Sequence, residues 1–271
     1  MDSPIRVTPI QERVEVLSNT EVSHDVFFLR LRAPRVAALV KAGQFVHLRI
    51  DAQRTLLRRP LSICQVHGVE LQIYYAVVGE GTRILSRKVA GDISMDVLGP
   101  IGTHWPDGEG VTAPLLIGGG LGMAPLGKLA HAFRDRGINA TIIQGSQNKE
   151  RLIAANVHAS IARDIRFATD DGSCGYHGFV TDLVKEAIGE KTFDVAYICG
   201  PEPMQYAVSR LSREAGIKTY VSFERRMACG IGACLGCTLP TTQGLKRVCV
   251  DGPIFEAGEV LFDDAIDSRI S

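Results

Sequence analysis

Short apolar runs separated by polar, glycine and proline residues dominate the first hundred residues of the chain. β-Branched and aromatic residues cluster in each run and turn residues bound it, which is typical of strands in a small antiparallel barrel. The pattern predicts strands at residues 14–16, 26–31, 44–50, 71–78 and 93–97. Helical periodicity is weak here except over residues 82–89. We therefore expect an N-terminal β-barrel whose loops and strand ends share one rim.

The pattern changes after residues 105–110, a segment rich in Gly, Pro and acidic residues that is typical of a linker. Beyond it, compact apolar strands at 114–117, 140–145 and 193–198 alternate with helical segments at 126–136 and 204–215. Such alternation favours a doubly wound α/β domain. The predicted organisation is a barrel at 1–107, an α/β domain at 108–223 and a small cysteine-rich module at 224–271.

Composition narrows the class of protein without identifying it. The 271 residues are 45% hydrophobic and carry a formal net charge of zero, so nothing indicates binding to nucleic acid or to an anionic membrane. The first residues lack the features of a signal peptide, and the apolar stretch at 113–127 is too short and too broken by Gly and Pro to span a bilayer. We expect a cytoplasmic protein, because a reducing compartment keeps cysteines as thiols.

The most specific chemical signal is a set of four cysteines near the C-terminus: Cys229, Cys234, Cys237 and Cys249. The spacing C-x4-C-x2-C with a later fourth cysteine is that of plant-type [2Fe-2S] ferredoxins. Interspersed glycines allow the loop to wrap a cluster closely, and Gly244 predicts a hairpin that returns the fourth cysteine. Zinc usually takes two C-x2-C pairs or added histidines, and a disulfide framework suits a short secreted chain. Both alternatives stay open but fit less well.

A second candidate site lies on the barrel, at Arg59, Pro60, Leu61 and Ser62. Arginine offers a planar charged fork for pyrophosphate, proline predicts a turn, and the serine hydroxyl can bond the polar edge of a ring. A solvated surface loop would fit this short segment as well.

Downstream residues support a binding role for that loop. Ile73, Tyr74 and Tyr75 lie on a predicted strand, where aromatic rings can flank a flat ligand. Gly81 and Thr82 follow at a predicted helix start, where backbone amides can bind phosphate oxygens. Ordinary barrel packing would account for the two tyrosines equally well.

Two motifs follow the apolar strands of the α/β domain. Gly118, Gly119, Gly120 and Gly122 form a glycine loop between a strand and a helix, an arrangement that binds phosphates. A later strand ends in the motif formed by Cys199, Gly200, Pro201 and Met204. Carboxyl ends of parallel strands are where open α/β sheets bind ligands.

These two motifs leave the ligand and the role of the cysteine open. Cys199 could contact a nicotinamide ring as a catalytic residue or act as a small buried hydrophobe. The glycine pattern is not the full G-x-G-x-x-G, and no acidic residue follows the next strand, where an Asp or Glu would bind the ribose. The preference for NADH over NADPH is therefore weak. A tight turn without a ligand is also compatible with the sequence.

The ordered motifs resemble the ferredoxin-NADP reductase superfamily, in which these parts bind FAD and a nicotinamide dinucleotide. With the cysteine-rich segment added, nearly the whole chain is similar to the electron-transfer subunits of NAD-dependent, class 1B dihydroorotate dehydrogenases. The resemblance implies that FAD is bound by residues 59–62, 73–75, 81 and 82, and that the four cysteines ligate a [2Fe-2S] cluster. One departure is visible: many relatives have an arginine where this chain has Tyr75.

The resemblance also implies a partner and a reaction. Electrons would pass between NAD and the FMN of a separate dihydroorotate dehydrogenase catalytic subunit, through FAD and the cluster, in a heterotetramer with two copies of each subunit. Flavin subunits of NAD(P)H-dependent ferredoxin or sulfide reductases and of hydrogenases share the architecture; they often carry aspartate in place of the first cysteine, so Cys229 favours the dihydroorotate system. A non-enzymatic flavin and iron–sulfur redox sensor, or a zinc-stapled module, is the alternative from another class.

Overall fold

The computed structural model describes residues 8–50, 55–106, 110–153 and 161–262. The chain forms two compact units. The first comprises Met1–His104, Glu224–Thr238 and Arg247–Pro253. The second comprises Trp105–Phe223, Leu239–Lys246 and Ile254–Ser271. Residues of the cysteine-rich segment thus belong to both units, and the boundaries of a separate third module remain a prediction.

The first unit is built on an antiparallel sheet. Its strands in the described residues are β1 (Ile10–Ser23), β2 (Val26–Arg32), β3 (Phe45–Arg49), β4 (Arg59–Ser62), β5 (Gln65–His67), β6 (Glu70–Ala76) and β7 (Met95–Ile101), with short helices α1 (Pro34–Ala37) and α2 (Glu80–Leu85). The strand order is β4-β3-β7-β1-β2-β6-β5. The first half of β1 pairs with β7 and the second half with β2. Because one long strand serves both sides, the sheet curves into a half-barrel around one apolar core.

Alternating burial accounts for the formation of strands by these segments. In β6, Leu71, Ile73 and Tyr75 are buried while the residues between them are partly exposed. In β3, Val46 and Leu48 enter the same core. All five strands predicted in this region are confirmed, and the predicted helix over 82–89 is shorter and begins earlier, as α2.

The second unit contains a mostly parallel sheet flanked by helices. The strands of this sheet are β8 (Pro114–Gly119), β9 (Thr141–Ser146), β10 (Asp164–Thr169), β11 (Tyr176–His177), β12 (Val195–Cys199), β13 (Lys218–Ser222) and β16 (Ile254–Glu256). A separate hairpin of β14 (Thr238–Thr241) and β15 (Gly244–Arg247) precedes β16. The helices are α3 (Gly127–Asp135), α4 (Val180–Glu190) and α5 (Glu202–Glu214), with 3₁₀ turns at Gly120–Leu126 and Lys149–Arg151. The sheet order is β11-β10-β9-β8-β12-β13-β16, with only β16 antiparallel.

The strand order of the second unit indicates where a ligand is expected to bind. From β8 the chain moves outward through β9, β10 and β11, then returns to the other side of β8 as β12. The carboxyl ends of β8 and β12 therefore flank a topological switch point, the usual ligand site of doubly wound sheets. Both strands are fully buried, as expected for central parallel strands.

The structure corrects one expectation, adds elements that were not predicted and confirms a hairpin. Pro60 was expected in a turn, but it lies within β4, which is an edge strand of the first sheet and needs no outward N–H at that position. No element was expected between 146 and 192, where the structure has β10, β11 and α4. The hairpin predicted at Gly244 is present as β14 and β15. None of the helices in the described residues has the length and apolarity needed to cross a lipid bilayer.

Candidate cofactor sites

The two adjacent arginines at the start of β4 have different roles. Arg58 forms an ion pair with Asp96 at 2.5 Å and donates hydrogen bonds to main-chain oxygens of His47 and Asp96 at 3.2 and 3.3 Å. It therefore fastens β4 to β3 and β7. Arg59 donates to the Leu57 carbonyl oxygen, and its guanidinium lies directly against Gly81, where a Cβ would overlap it. That leaves Arg59 as the arginine with a charged fork available to an anion.

Helix α2 begins under this guanidinium and is held by its own threonine. The Thr82 hydroxyl accepts hydrogen bonds from the amides of Val78 and Gly79 at 2.9 and 3.2 Å and donates to the Gly79 carbonyl oxygen at 3.1 Å. The Thr82 side chain is buried, and its hydroxyl is used in these cap hydrogen bonds. Only the backbone of Thr82 is therefore left for the predicted contact with FAD. The predictions for Gly81 and Thr82 remain predictions.

The predicted aromatic platform on β6 has one outward and one inward tyrosine. Tyr74 is half-buried on the outer face and packs on Phe28 with ring centroids 4.6 Å apart. Tyr75 is 2% exposed in the core, and its hydroxyl donates to Asn19 Oδ1 at 3.0 Å. Ile73 is also in the core. Only Tyr74 therefore offers its ring to a ligand on the outer face, and Ile73 and Tyr75 could contribute main-chain atoms alone.

Burial affects the acidity of two groups beside this platform. It raises the pKa of the Tyr74 hydroxyl to about 12, with a smaller contribution from the Cys64 thiol. Burial also raises the pKa of Cys64 to about 12. Both groups are therefore protonated at neutral pH.

In the second unit, the glycine loop and the cysteine motif meet at the switch point. A Cβ at Gly119 would lie 2.6 Å from Met204 Sδ and 2.8 Å from Pro201 Cδ. A Cβ at Gly122 would overlap the carbonyl oxygen of Cys199. Each glycine thus permits a backbone approach that no other residue allows. The two motifs therefore pack against each other at the carboxyl ends of β8 and β12, the edge where doubly wound sheets usually bind ligands.

The residues after β12 are fixed by Gln205, a side chain that the motifs did not point to. Gln205 Nε2 donates to the carbonyl oxygens of Gly200 and Ser222 at 2.7 and 2.9 Å. It thereby ties the start of α5 to the ends of β12 and β13. The sequence signal that could have identified Gln205 is its position directly after the C-G-P-x-x-M motif. Cys199 is 2% exposed, and its contact with a nicotinamide ring stays a prediction.

The four C-terminal cysteines lie in the first unit as two pairs. Cys229 is hydrogen-bonded to the Cys234 thiol, and Cys249 to the Cys237 thiol. In the described part of the chain, no three His, Cys, Asp or Glu side chains surround a single metal position. A binuclear cluster takes two protein ligands on each iron, so the arrangement of two plus two thiols fits [2Fe-2S].

Backbone amides converge on these sulfurs. Amides of Ile231 and Cys234 point at Cys229 Sγ at 3.5 and 3.4 Å, and the Gly232 amide donates to Cys249 Sγ at 3.2 Å. Burial alone would raise the pKa of the free Cys229 thiol, but the backbone amides of Ile231 and Cys234 and the Cys234 thiol lower it to about 7. Such donors stabilise negative charge on sulfur, as a thiolate-bound cluster requires.

The cysteine loop is seated on strand β3. Gly230 has a φ of +70°, and a Cβ there would lie 2.5 Å from His47 Nδ1 and 2.8 Å from Cε1. The loop backbone therefore packs directly on the imidazole. His47 was not among the residues predicted for this site, although a histidine inside the apolar run of β3 is an unusual polar residue.

Comparison with known proteins identifies the class first. Family models match residues 13–105 as an oxidoreductase FAD-binding domain and residues 116–210 as an oxidoreductase NAD-binding domain. A model for the iron–sulfur cluster binding domain of dihydroorotate dehydrogenase B matches residues 224–261. A solved chain of an NADH-dependent reduced ferredoxin-NADP oxidoreductase, studied for flavin-based electron bifurcation, has a TM-score of 0.84 and 31% identity, covering 96% of this chain and 93% of that one. The chain is an NAD-linked flavoprotein oxidoreductase with the ferredoxin-reductase fold and a C-terminal iron–sulfur domain.

Curated relatives define the particular family. The dihydroorotate dehydrogenase B (NAD(+)) electron transfer subunit of Geobacillus thermodenitrificans is 39% identical over 259 residues, which cover 93% of this chain and 98% of the relative. The subunit of the same name from Listeria innocua is also 39% identical, covering 93% and 99% of the two chains. The chain belongs to the family of dihydroorotate dehydrogenase B electron transfer subunits, and its cofactors are FAD, NAD and an iron–sulfur cluster.

Proposed function

We propose that this chain carries electrons between NAD and the FMN of a separate dihydroorotate dehydrogenase subunit, which converts dihydroorotate to orotate in pyrimidine biosynthesis. The observation that carries the proposal is the pairing of the cluster cysteines two by two within the same compact unit as the flavin half-barrel. One unit thus holds both a two-electron and a one-electron carrier.

The electron count requires this combination. Nicotinamide exchanges two electrons as hydride, a [2Fe-2S] cluster exchanges one at a time, and a flavin can do both. The proposed order is therefore NAD, FAD, cluster and external acceptor or donor. In this scheme Arg59 binds the FAD pyrophosphate, Tyr74 packs on FAD, and the nicotinamide dinucleotide binds at the carboxyl ends of β8 and β12.

The proposed partner is an FMN-containing catalytic subunit, in an assembly with two copies of each chain. Ile231 and Leu235 are 58% and 61% exposed beside the first cysteine pair, which makes this loop the proposed docking face. The proposed compartment is the cytoplasm, where a reducing environment keeps cysteines available as iron ligands.

The test combines spectra and reconstitution. Protein purified without oxygen should contain about two irons per chain and bleach on addition of NADH. Alone it should reduce artificial acceptors with NADH but leave dihydroorotate unchanged, and adding the catalytic subunit should yield dihydroorotate-dependent NAD+ reduction. Dihydroorotate turnover by the chain alone would refute the proposal, as would a colourless protein that contains zinc.

A matched variant tests the order of carriers. Cys234→Ser should remove the cluster, and NADH should still bleach the flavin while dihydroorotate-dependent NAD+ reduction by the complex is lost. Cys174→Ser, which changes a cysteine outside the paired set, should behave like the unaltered protein. Retention of full complex activity in Cys234→Ser would contradict the proposed route through the cluster.

The second candidate is a flavin subunit of a ferredoxin-NADP oxidoreductase. The similarity to the solved oxidoreductase chain over almost its whole length favours it. Its distinguishing requirement is electron exchange with ferredoxin rather than with an FMN subunit. NADPH oxidation coupled to ferredoxin, without binding to a dihydroorotate dehydrogenase catalytic subunit, would favour this candidate.

A further inference from the structure

His47 sits on the face of β3 that is turned away from the barrel core. Its neighbours Val46 and Leu48 point into the core, and strand side chains alternate, so the imidazole emerges on the opposite side. It is nevertheless 0% exposed. Phe45, on the same face of β3, approaches the ring edge-on with centroids 6.3 Å apart.

The imidazole is buried without a hydrogen-bond partner. Neither Nδ1 nor Nε2 of His47 has one among the residues that the structure describes. Burial, and secondarily the Arg58 charge, lowers the pKa of His47 to about 4. The ring is therefore neutral at neutral pH and carries one N–H donor. Leaving such a group unsatisfied costs stability, so a buried polar group of this kind normally has a partner.

The segment over the ring is the cluster loop itself. Gly230 directly follows Cys229 and packs on the imidazole with a left-handed backbone. The next amides of the loop already point at cysteine sulfurs. The side-chain N–H of His47 is thus a further donor beside a loop whose other donors converge on sulfur.

We propose that His47 donates its ring N–H to a sulfur of the [2Fe-2S] cluster and thereby raises the reduction potential of that cluster. This inference rests on the cluster of the proposed function and adds a residue from the flavin half-barrel to its surroundings. A hydrogen bond to sulfur stabilises the more negative, reduced state, and such bonds are among the determinants of cluster potential. His47 acts as a positioning and tuning residue, while the cysteines remain the ligands.

Redox titration followed by electron paramagnetic resonance tests the proposal. His47→Phe keeps a ring but removes the donor, and His47→Gln retains a side-chain N–H. His67→Phe, at an exposed position on β5, is the control. At the potential that half-reduces the unaltered cluster, the reduced-to-oxidised ratio in His47→Phe should fall about tenfold, which is about 59 mV for one electron. His47→Gln should recover part of the loss, and His67→Phe should show none.

A second measurement does not depend on how the variants fold. Unaltered protein with ¹⁵N only in its histidines should show a ¹⁵N coupling to the reduced cluster in pulsed resonance spectra. Absence of that coupling would overturn the proposal, as would an unchanged potential in an iron-replete His47→Phe variant. Unaltered protein that binds no iron would refute the proposed function as well, whereas a normal cluster insensitive to His47 would refute this inference alone.

Discussion

The tightest packing at the cluster loop predicts the effect of adding one methyl group. In Gly230→Ala, the new Cβ would lie 2.5 Å from His47 Nδ1 and 2.8 Å from Cε1. His47 is fully buried at the centre of β3, so its ring is enclosed by neighbouring residues. The loop must therefore lift, and the cysteines on either side of it must move.

The magnitude follows from two contributions. A left-handed backbone, here with φ of +70°, costs an L-residue about 1–2 kcal/mol relative to glycine. Overpacking a filled site costs about 1–3 kcal/mol more. The total of about 2–5 kcal/mol exceeds the 1.4 kcal/mol that corresponds to a tenfold change in equilibrium. We expect the closed loop to be disfavoured by well over tenfold and the cluster to be lost readily.

The assay is the iron-to-flavin ratio before and after exposure to a chelator, because flavin retention reports that the half-barrel is intact. Gly68→Ala is the matched control, since Gly68 also has a positive φ, +59°, but nothing lies within 4 Å of its added Cβ. It should retain iron. Adding His47→Ala to Gly230→Ala should restore iron by making room for the methyl group. Chelator resistance in Gly230→Ala equal to that of Gly68→Ala would refute the packing argument.

Three further substitutions follow from contacts in the two units. Gly81→Ala should weaken FAD binding by displacing the β4 arginine without destabilising α2, as measured by flavin titration of the apoprotein; Gly79→Ala, with nothing within 4 Å, should not. Gly122→Ala should impair NADH oxidation while leaving flavin and iron in place, because its Cβ would meet the carbonyl oxygen that ends β12; Gly189→Ala, in open space on α4, is the kinetic control. Asn19→Ala removes three hydrogen bonds, to the carbonyl oxygens of Leu85 and Lys88 and to the hydroxyl of Tyr75. It should lower the free energy of unfolding by about 2–3 kcal/mol in denaturant titration, and an unchanged midpoint would contradict this.

Local patterns in the sequence were sufficient to predict most strands and to select the four cysteines proposed as cluster ligands. The runs that form β2, β3 and β6 combine β-branched with aromatic residues, a pattern that can be recognised within each segment alone. The four-cysteine spacing is equally local in its meaning. The turn prediction at Pro60 was wrong because proline usually marks turns, and only the sheet order reveals that β4 is an edge strand.

Contacts between distant segments could not be predicted in the same way. The packing contact between Gly230 and His47 joins residues 183 positions apart, and neither segment alone specifies this contact. The inward direction of Tyr75 likewise depends on the register of β6 against β2, which places it opposite Phe27. One residue of difference in that register would exchange the faces of Tyr74 and Tyr75. The sequence therefore identifies the aromatic pair but not which member can meet a ligand.

The placement of the cysteine loop has a physical consequence for electron transfer. A cluster held only by a terminal module would depend on the mobility of that module for its distance to the flavin. Here the loop rests on β3, the strand that pairs with β4 and so with the arginine proposed to hold FAD. In the proposed scheme, the same two paired strands would therefore position both carriers of the one-electron step. Substitutions that loosen the loop should consequently slow transfer between flavin and cluster even when both groups remain bound.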